Sequence, residues 1–114
     1  MLSKEELLPD CPVAVTVSLI GNKWKLLIIR NLLNGKARFG ELKDGIDGIS
    51  QKVLTDNLKS MEEDGIIIRT AYPEIPPRVE YELSELGNSL RPIIDDMKNW
   101  GINYNILINC NLSL

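Results

Sequence analysis

The feature that most constrains this chain is a change of hydrophobic period at Gly65. Before it, Val53, Leu54, Leu58 and Met61 recur at helical spacing, which puts them on one face of a helix. After it, Ile66-Ile67-Ile68 is β-branched, and Arg78-Val79-Glu80-Tyr81-Glu82-Leu83 alternates polar with apolar residues. That alternation is the pattern of a half-buried strand. Pro73, Pro76 and Pro77 separate the two strand segments. The chain must therefore run from a helix over residues 51–64 straight into a β-hairpin with a proline-stiffened tip. Ser50 is the expected N-cap of that helix, and Gly65 its stop.

Everything upstream reads as helical. A first helix is expected to begin near Asp10 to Pro12, with Asp10 as a favourable cap and Pro12 in the first turn. Val13, Val17 and Ile20 form its apolar face, and Gly21-Asn22 ends it. A second helix spans about Lys23 to Asn34, with Leu26, Ile29 and Leu33 as its stripe and Leu27 and Ile28 widening it. Trp24 reads as core, and Gly35 stops the helix. Ala37 to Lys43 holds a short third helix with Phe39 and Leu42 inward. Gly45 to Ile49 is a turn with two buried anchors.

Downstream of the hairpin, Ser84 caps a final helical region. There Leu86, Leu90, Ile93, Met97 and Trp100 continue one stripe. Pro92 either kinks this region or starts a new helix. The sequence divides into an N-terminal arm (1–10), a domain (11–101) and a C-terminal apolar segment (102–114).

Composition narrows the function classes. A length of 114 residues implies one domain, small enough that dimerisation would help its stability. No apolar run approaches the roughly 20 residues a membrane span needs, and the charged start lacks a signal-peptide pattern. A cytoplasmic protein is expected. The chain has no histidine, which excludes a His-based triad and His-ligated zinc. Cys11 and Cys110, its two cysteines, cannot complete a four-thiolate site within one chain. No phosphate loop or nucleophile motif is present. The expectation is a protein with no catalytic residues, no metal and no cofactor. Asp95-Asp96 and Glu62-Glu63-Asp64 read as solvated helix faces, because adjacent helical residues point in different directions.

A net charge of −3 argues mildly against a nucleic-acid partner, but the distribution matters more than the sum. The basic residues concentrate between Lys23 and Arg78, and the tail is acidic. The order of elements (three helices, the third short, then a turn, a helix, a β-hairpin and a helix) is that of a winged helix-turn-helix, mainly α with a small β-hairpin wing. In such a fold the second helix of the pair lies in the DNA major groove, here residues 50–64. Gln51, Lys52, Thr55 and Lys59 then face outward. Gln can bond adenine, Lys can reach guanine or phosphate, and a Thr methyl can touch thymine. The acids of this helix are read as clustering at its far end, Glu62-Glu63-Asp64. Free N–H groups at the Ser50 end suit a phosphate. Arg38 and Lys43, flanking the short third helix, are candidate backbone contacts. Arg78, read as standing at the base of the wing, is a candidate for the minor groove. Residues alone leave a merely solvated amphipathic helix equally open.

Several motifs in fixed order resemble the HxlR-type family of bacterial transcription regulators. They are Cys11-Pro12 leading to Ile20-Gly21-Asn22-Lys23-Trp24, then Arg38-Phe39-Gly40-Glu41-Leu42 and Ile49-Ser50-Gln51-Lys52-Val53-Leu54-Thr55. Leu58, Glu62-Glu63-Asp64-Gly65-Ile66, Pro76-Pro77-Arg78-Val79-Glu80-Tyr81-Glu82-Leu83 and Trp100-Gly101 follow. Asn22 stands where the common family form has Gly. The resemblance implies a MarR-like winged helix that binds double-stranded DNA through the Ser50–Lys59 helix and the wing near Arg78. It implies a homodimer paired through terminal helices, which suits the stripe Leu86, Leu90, Ile93, Met97 and Trp100. An inverted-repeat operator with half-sites about 34 Å apart follows from such a dimer, and repression is the expected action.

Some members of the family sense oxidants or electrophiles through the cysteine that Cys11 matches. A thiol at a helix N-terminus favours the thiolate, whereas a buried structural cysteine is the opposing reading. Cys110 of a partner subunit is the candidate for pairing with Cys11. Two further readings stand beside these. One is a winged-helix protein-interaction module. The other is a regulator answering to a small-molecule effector, with passive cysteines.

Overall fold

The computed structural model describes residues 11–112, with side-chain surroundings through residue 109. The N-terminal arm, Asp10 and the side chain of Cys110 lie outside the described residues.

Helix α1 (Pro12–Ile20) has Cys11 at its N-cap position, with no side-chain cap bond, and the Cys11 carbonyl accepts from Val15 N–H at 2.9 Å. Of its expected apolar face only Ile20 is buried; Val13 and Val17 are exposed. Helix α2 (Lys23–Leu32) turns away from α1 by 79°. Asn22 makes this corner: its Oδ1 accepts from Lys25 N–H at 2.8 Å, the bond a good N-cap supplies. Helix α2 ends two residues before the expected Asn34, and Gly35 takes a φ of 133° behind it. Ile28, Ile29 and Leu32 are its buried residues, while Leu26, Leu27 and Leu33 are half-buried against the core.

The next element departs from the sequence reading. Ala37–Arg38 is a two-residue strand, β1, and only then does helix α3 (Phe39–Gly45) begin. Leu42 is its buried residue, and Ile46 and Ile49 are the two buried anchors of the following turn. Helix α4 (Gln51–Glu63) starts as expected, with Ser50 Oγ accepting from Val53 N–H at 3.1 Å. Leu54, Leu58 and Met61 are at most 2% exposed. Gly65, at φ 77°, sits in the left-handed region that ends a helix without a Cβ penalty.

Strands β2 (Ile67–Tyr72) and β3 (Arg78–Leu83) pair antiparallel, from Ile67 opposite Leu83 to Tyr72 opposite Arg78. β1 joins the far edge of β3, with Ala37 opposite Tyr81 and Arg38 opposite Glu80. The wing is thus a three-stranded sheet in the order β1-β3-β2, not a bare hairpin. Two residues carry no readable alternation, so only pairing with β3 makes Ala37–Arg38 a strand.

The final helical region is broken. Helix α5 (Glu85–Asn88) is a single turn, and Pro92 lies in the first turn of a separate helix α6 (Arg91–Leu112), about 33 Å long. Ser84 caps α5 by accepting from Gly87 N–H, and its hydroxyl donates back to the Gly65 carbonyl at 2.6 Å. A Cβ on Gly87 would fall 2.2 Å from the Ile66 carbonyl oxygen, so this close approach requires glycine. The stripe expected from Leu86 to Trp100 therefore does not lie on one helix. Leu86 projects from α5, Leu90 packs on the chain's own core, and Ile93, Met97 and Trp100 stay exposed on α6. α6 runs through positions 101 and 102 without a break. Among the described residues no single helix is long and apolar enough to cross a membrane.

Candidate nucleic-acid interface

Helix α4 divides cleanly into two faces. Leu54, Leu58 and Met61 are locked into the core with Ile28 and Ile29 of α2, which fixes the rotation of the helix. Gln51, Lys52, Thr55 and Lys59 are consequently exposed on the opposite face, where the sequence put them. Polar ties to α2 set the tilt as well: Asn22 Nδ2 donates to Asn57 Oδ1 at 3.2 Å, and Lys25 Nζ donates to Ser60 Oγ at 3.0 Å. Asn57 Nδ2 in turn donates to the Val53 carbonyl at 2.7 Å. The sequence pattern assigns Lys25, Asn57 and Ser60 no role, and Asn22 only the end of the first helix. Asn22 carries a signal in its departure from the usual glycine; the others show none without the helix packing.

The outward face is not free of acid in its middle, contrary to the sequence expectation. Asp56 is exposed beside Lys52, and Lys52 Nζ lies 2.8 Å from its carboxylate. A hydrogen bond and the charge of Asp56 raise the Lys52 pKa. Thr55 Oγ1 donates to the Gln51 carbonyl at 2.8 Å, so its one donor is occupied.

The wing borders the same face. Thr55, Lys59 and Glu62 of α4 line one cleft of about 350 Å³ with Arg69 and Tyr81 of the sheet. Arg69 is exposed and makes no ion pair among the described residues. Nothing in the local sequence marks it, because only the β2–β3 register, Arg69 opposite Tyr81, brings it toward α4.

Arg78 is placed differently from its sequence reading. Its partner in the register is Tyr72, the pair farthest from the core, so it stands at the tip end of the wing and not at the base. The guanidinium lies 4.0 Å over the Tyr72 ring and 3.1 Å from Glu74. Glu80, 17% exposed at the centre of the sheet, faces Lys36 at 3.7 Å. Partial burial pushes its carboxyl upward, but a bond from the Tyr72 hydroxyl and the charges of Lys36 and Arg78 together hold it below the ordinary value.

Arg38 and Lys43 are exposed at either end of α3. Arg38 N–H donates to Glu41 Oε1 at 2.9 Å, which leaves its side chain outside the cap. Cys11 is an exposed free thiol. Trp24 is half-buried against the core, with Lys23 Nζ 4.7 Å over its ring.

The family model described as HxlR-like helix-turn-helix matches residues 19–107. The chain belongs to the HxlR-like helix-turn-helix family. A Bacillus subtilis protein named as the uncharacterized HTH-type transcriptional regulator YdeP is 45% identical over 94 residues, covering 82% of this chain and 73% of YdeP. Among solved structures, the redox regulator HypR in its reduced form is 39% identical with a TM-score of 0.82, covering 88% of this chain and 99% of HypR. The oxidized form of HypR is 43% identical with a TM-score of 0.78, covering 82% of this chain and 96% of HypR. The HxlR-like chain described here is accordingly a transcriptional regulator with a winged-helix fold, and, like its relatives, not an enzyme.

Proposed function

We propose that this regulator acts as a homodimer that reads an inverted-repeat operator through α4 and represses transcription from the cytoplasm. The observation that carries the reading is the outward face of α4: Gln51, Lys52, Thr55 and Lys59 exposed on a helix whose other face is anchored in the core. Gln51 and Lys52, in the first turn, contact base edges. The Thr55 methyl touches thymine, since its hydroxyl is already bonded. Ser50 orients the helix N-terminus toward a phosphate. Lys59 with Arg69, and Arg38 and Lys43 beside α3, contact the backbone and set position without reading sequence. Arg78 reaches DNA from the tip of the wing by exchanging Glu74 for a phosphate.

Pairing through α1 and α6 is supported by the exposed apolar residues Val13, Val17, Ile93, Met97 and Trp100. Val17, Ile93 and Met97 line one apolar hollow between the two helices, and an exposed apolar face of this kind marks an interaction site. Leu86 contributes at its edge, whereas Leu90 supports α6 from inside. The C-terminal apolar segment (102–114), whose described part through Leu112 continues α6, extends the same contact, and residues 11–101 form the reading domain.

The decisive test is selection of bound fragments from a random DNA pool, followed by fluorescence anisotropy at several salt concentrations. The expected result is an enriched inverted repeat bound with a steep salt slope. Enrichment of no motif, or affinity equal for competitor DNA, would overturn the reading.

We infer further that Cys11 is the residue through which oxidants or electrophiles act. Support comes from its exposure at the start of α1 and from the likeness to HypR, which is named a redox regulator in two states. Pairing with Cys110 of a second subunit requires Cα atoms within about 7 Å. After diamide treatment, non-reducing electrophoresis should show a crosslinked dimer that Cys11→Ser and Cys110→Ser both abolish. A crosslink surviving Cys110→Ser would discard that partner.

A further inference from the structure

Several cations of this chain have a partner within it. Lys36, Lys52 and Arg78 each face a carboxylate, and Arg91 donates to the Leu33 carbonyl. Lys23, Arg30 and Lys98 face no carboxylate among the described residues. All three line one hollow between α2 and α6, of about 380 Å³, whose floor is Leu26, Leu27, Ile94 and Met97. That size lies in the range of small-molecule sites, about 300–1,000 Å³. The hollow continues past Arg30 and Lys98 toward Arg91, where Asp95 is the one acidic residue lining it.

A neighbouring hollow makes the contrast. Between α1 and α6, Thr16, Val17, Ile20, Ile93 and Met97 line a smaller space with no charged side chain at all. An uncharged apolar face suits a second copy of the chain. An apolar floor beneath three cations without carboxylate partners suits something else, because burying those cations under protein without acidic partners is costly.

We propose that the α2–α6 hollow is a binding site for an amphipathic monoanion, a small molecule with an apolar body and a carboxylate. The apolar body lies on Leu26, Leu27, Ile94 and Met97. The carboxylate accepts from the Arg30 guanidinium and the Lys98 ammonium, with Lys23 adding charge at the far rim. Because α2 also holds α4 through Asn22–Asn57 and Lys25–Ser60, the occupant sits one helix away from the reading face.

The test is calorimetric titration of the full chain with octanoate and with 1-octanol, which has the same apolar length and no charge. Octanoate should bind one-to-one per chain, and 1-octanol about tenfold more weakly, the effect expected of a charge-assisted hydrogen bond. Arg30→Gln and Lys98→Gln should weaken octanoate by a similar factor while leaving 1-octanol unchanged. Lys43→Gln, an exposed cation away from the hollow, should change neither. Equal affinity for the two probes would reduce the site to apolar adsorption and overturn the proposal. So would an effect of Lys43→Gln equal to that of Arg30→Gln. Absence of saturable octanoate binding would also overturn it.

Discussion

Helices α4 and α6 have the same kind of sequence and opposite fates. Both repeat apolar residues at helical spacing. On α4 the repeat is spent inside the chain: Leu54, Leu58 and Met61 are buried, and what remains outside is polar. On α6 the described residues include none that is buried, and Trp100 is 69% exposed, stacked at 5.3 Å on Tyr104. A helix whose apolar stripe is satisfied by its own fold can offer its other face to a ligand. A helix whose stripe is left over needs another chain to cover it. The contrast teaches that amphipathic spacing locates a buried face without saying whose core will bury it.

The largest break in this comparison should come from the α4 side. Leu54→Ala opens a cavity in a fully packed core and should cost about 2–5 kcal/mol in thermal or denaturant unfolding. The matching change on α6, Trp100→Ala, should leave the helical signal of the monomer intact. It should instead weaken self-association by about 2 kcal/mol or more, read by sedimentation equilibrium. If Trp100→Ala unfolds the chain as Leu54→Ala does, α6 belongs to the monomer core and the contrast fails.

On the outward face of α4, Gln51→Ala should weaken binding to the selected operator by about 1–3 kcal/mol and relax preference at one base position. Binding to competitor DNA should not change. Ser50→Ala removes the cap and should cost about 1 kcal/mol of stability, visible as a lowered melting temperature.

The smallest effect concerns the wing. The Glu80 carboxyl is held below its ordinary value of 4.5. Its contribution is therefore fully present above the unfolded-state value and is lost as pH falls through the lower folded one. Glu80→Gln should flatten this acid limb in melting temperatures followed from neutral to acid pH. An unchanged acid limb would mean that Glu80 does not hold the sheet.

Much of the reading face is legible in the residues alone. Val53, Leu54, Leu58 and Met61 set the rotation of a helix between Ser50 and Gly65. That rotation turns Gln51, Lys52, Thr55 and Lys59 outward. Asp56 obeys the same periodicity, and its pairing with Lys52 is implicit in the i,i+4 spacing, although the cluster Glu62-Glu63-Asp64 draws attention to the far end of the helix. Arg69 and the Asn22–Asn57 tie are not legible, because they depend on contacts between elements far apart in sequence.

Local pattern settled the element order, the helix caps at Ser50 and Ser84, the stop at Gly65 and the inward face of α4. These are matters of backbone preference and period, decided within a few residues. Long-range packing was needed to make Ala37–Arg38 a strand, to put Arg78 at the tip of the wing and to split the Leu86–Trp100 stripe between two helices. It also gathered Lys23, Arg30 and Lys98 around one hollow. Each of those outcomes depends on strand register or helix packing, where the deciding partner is distant in the chain and leaves no mark on local pattern.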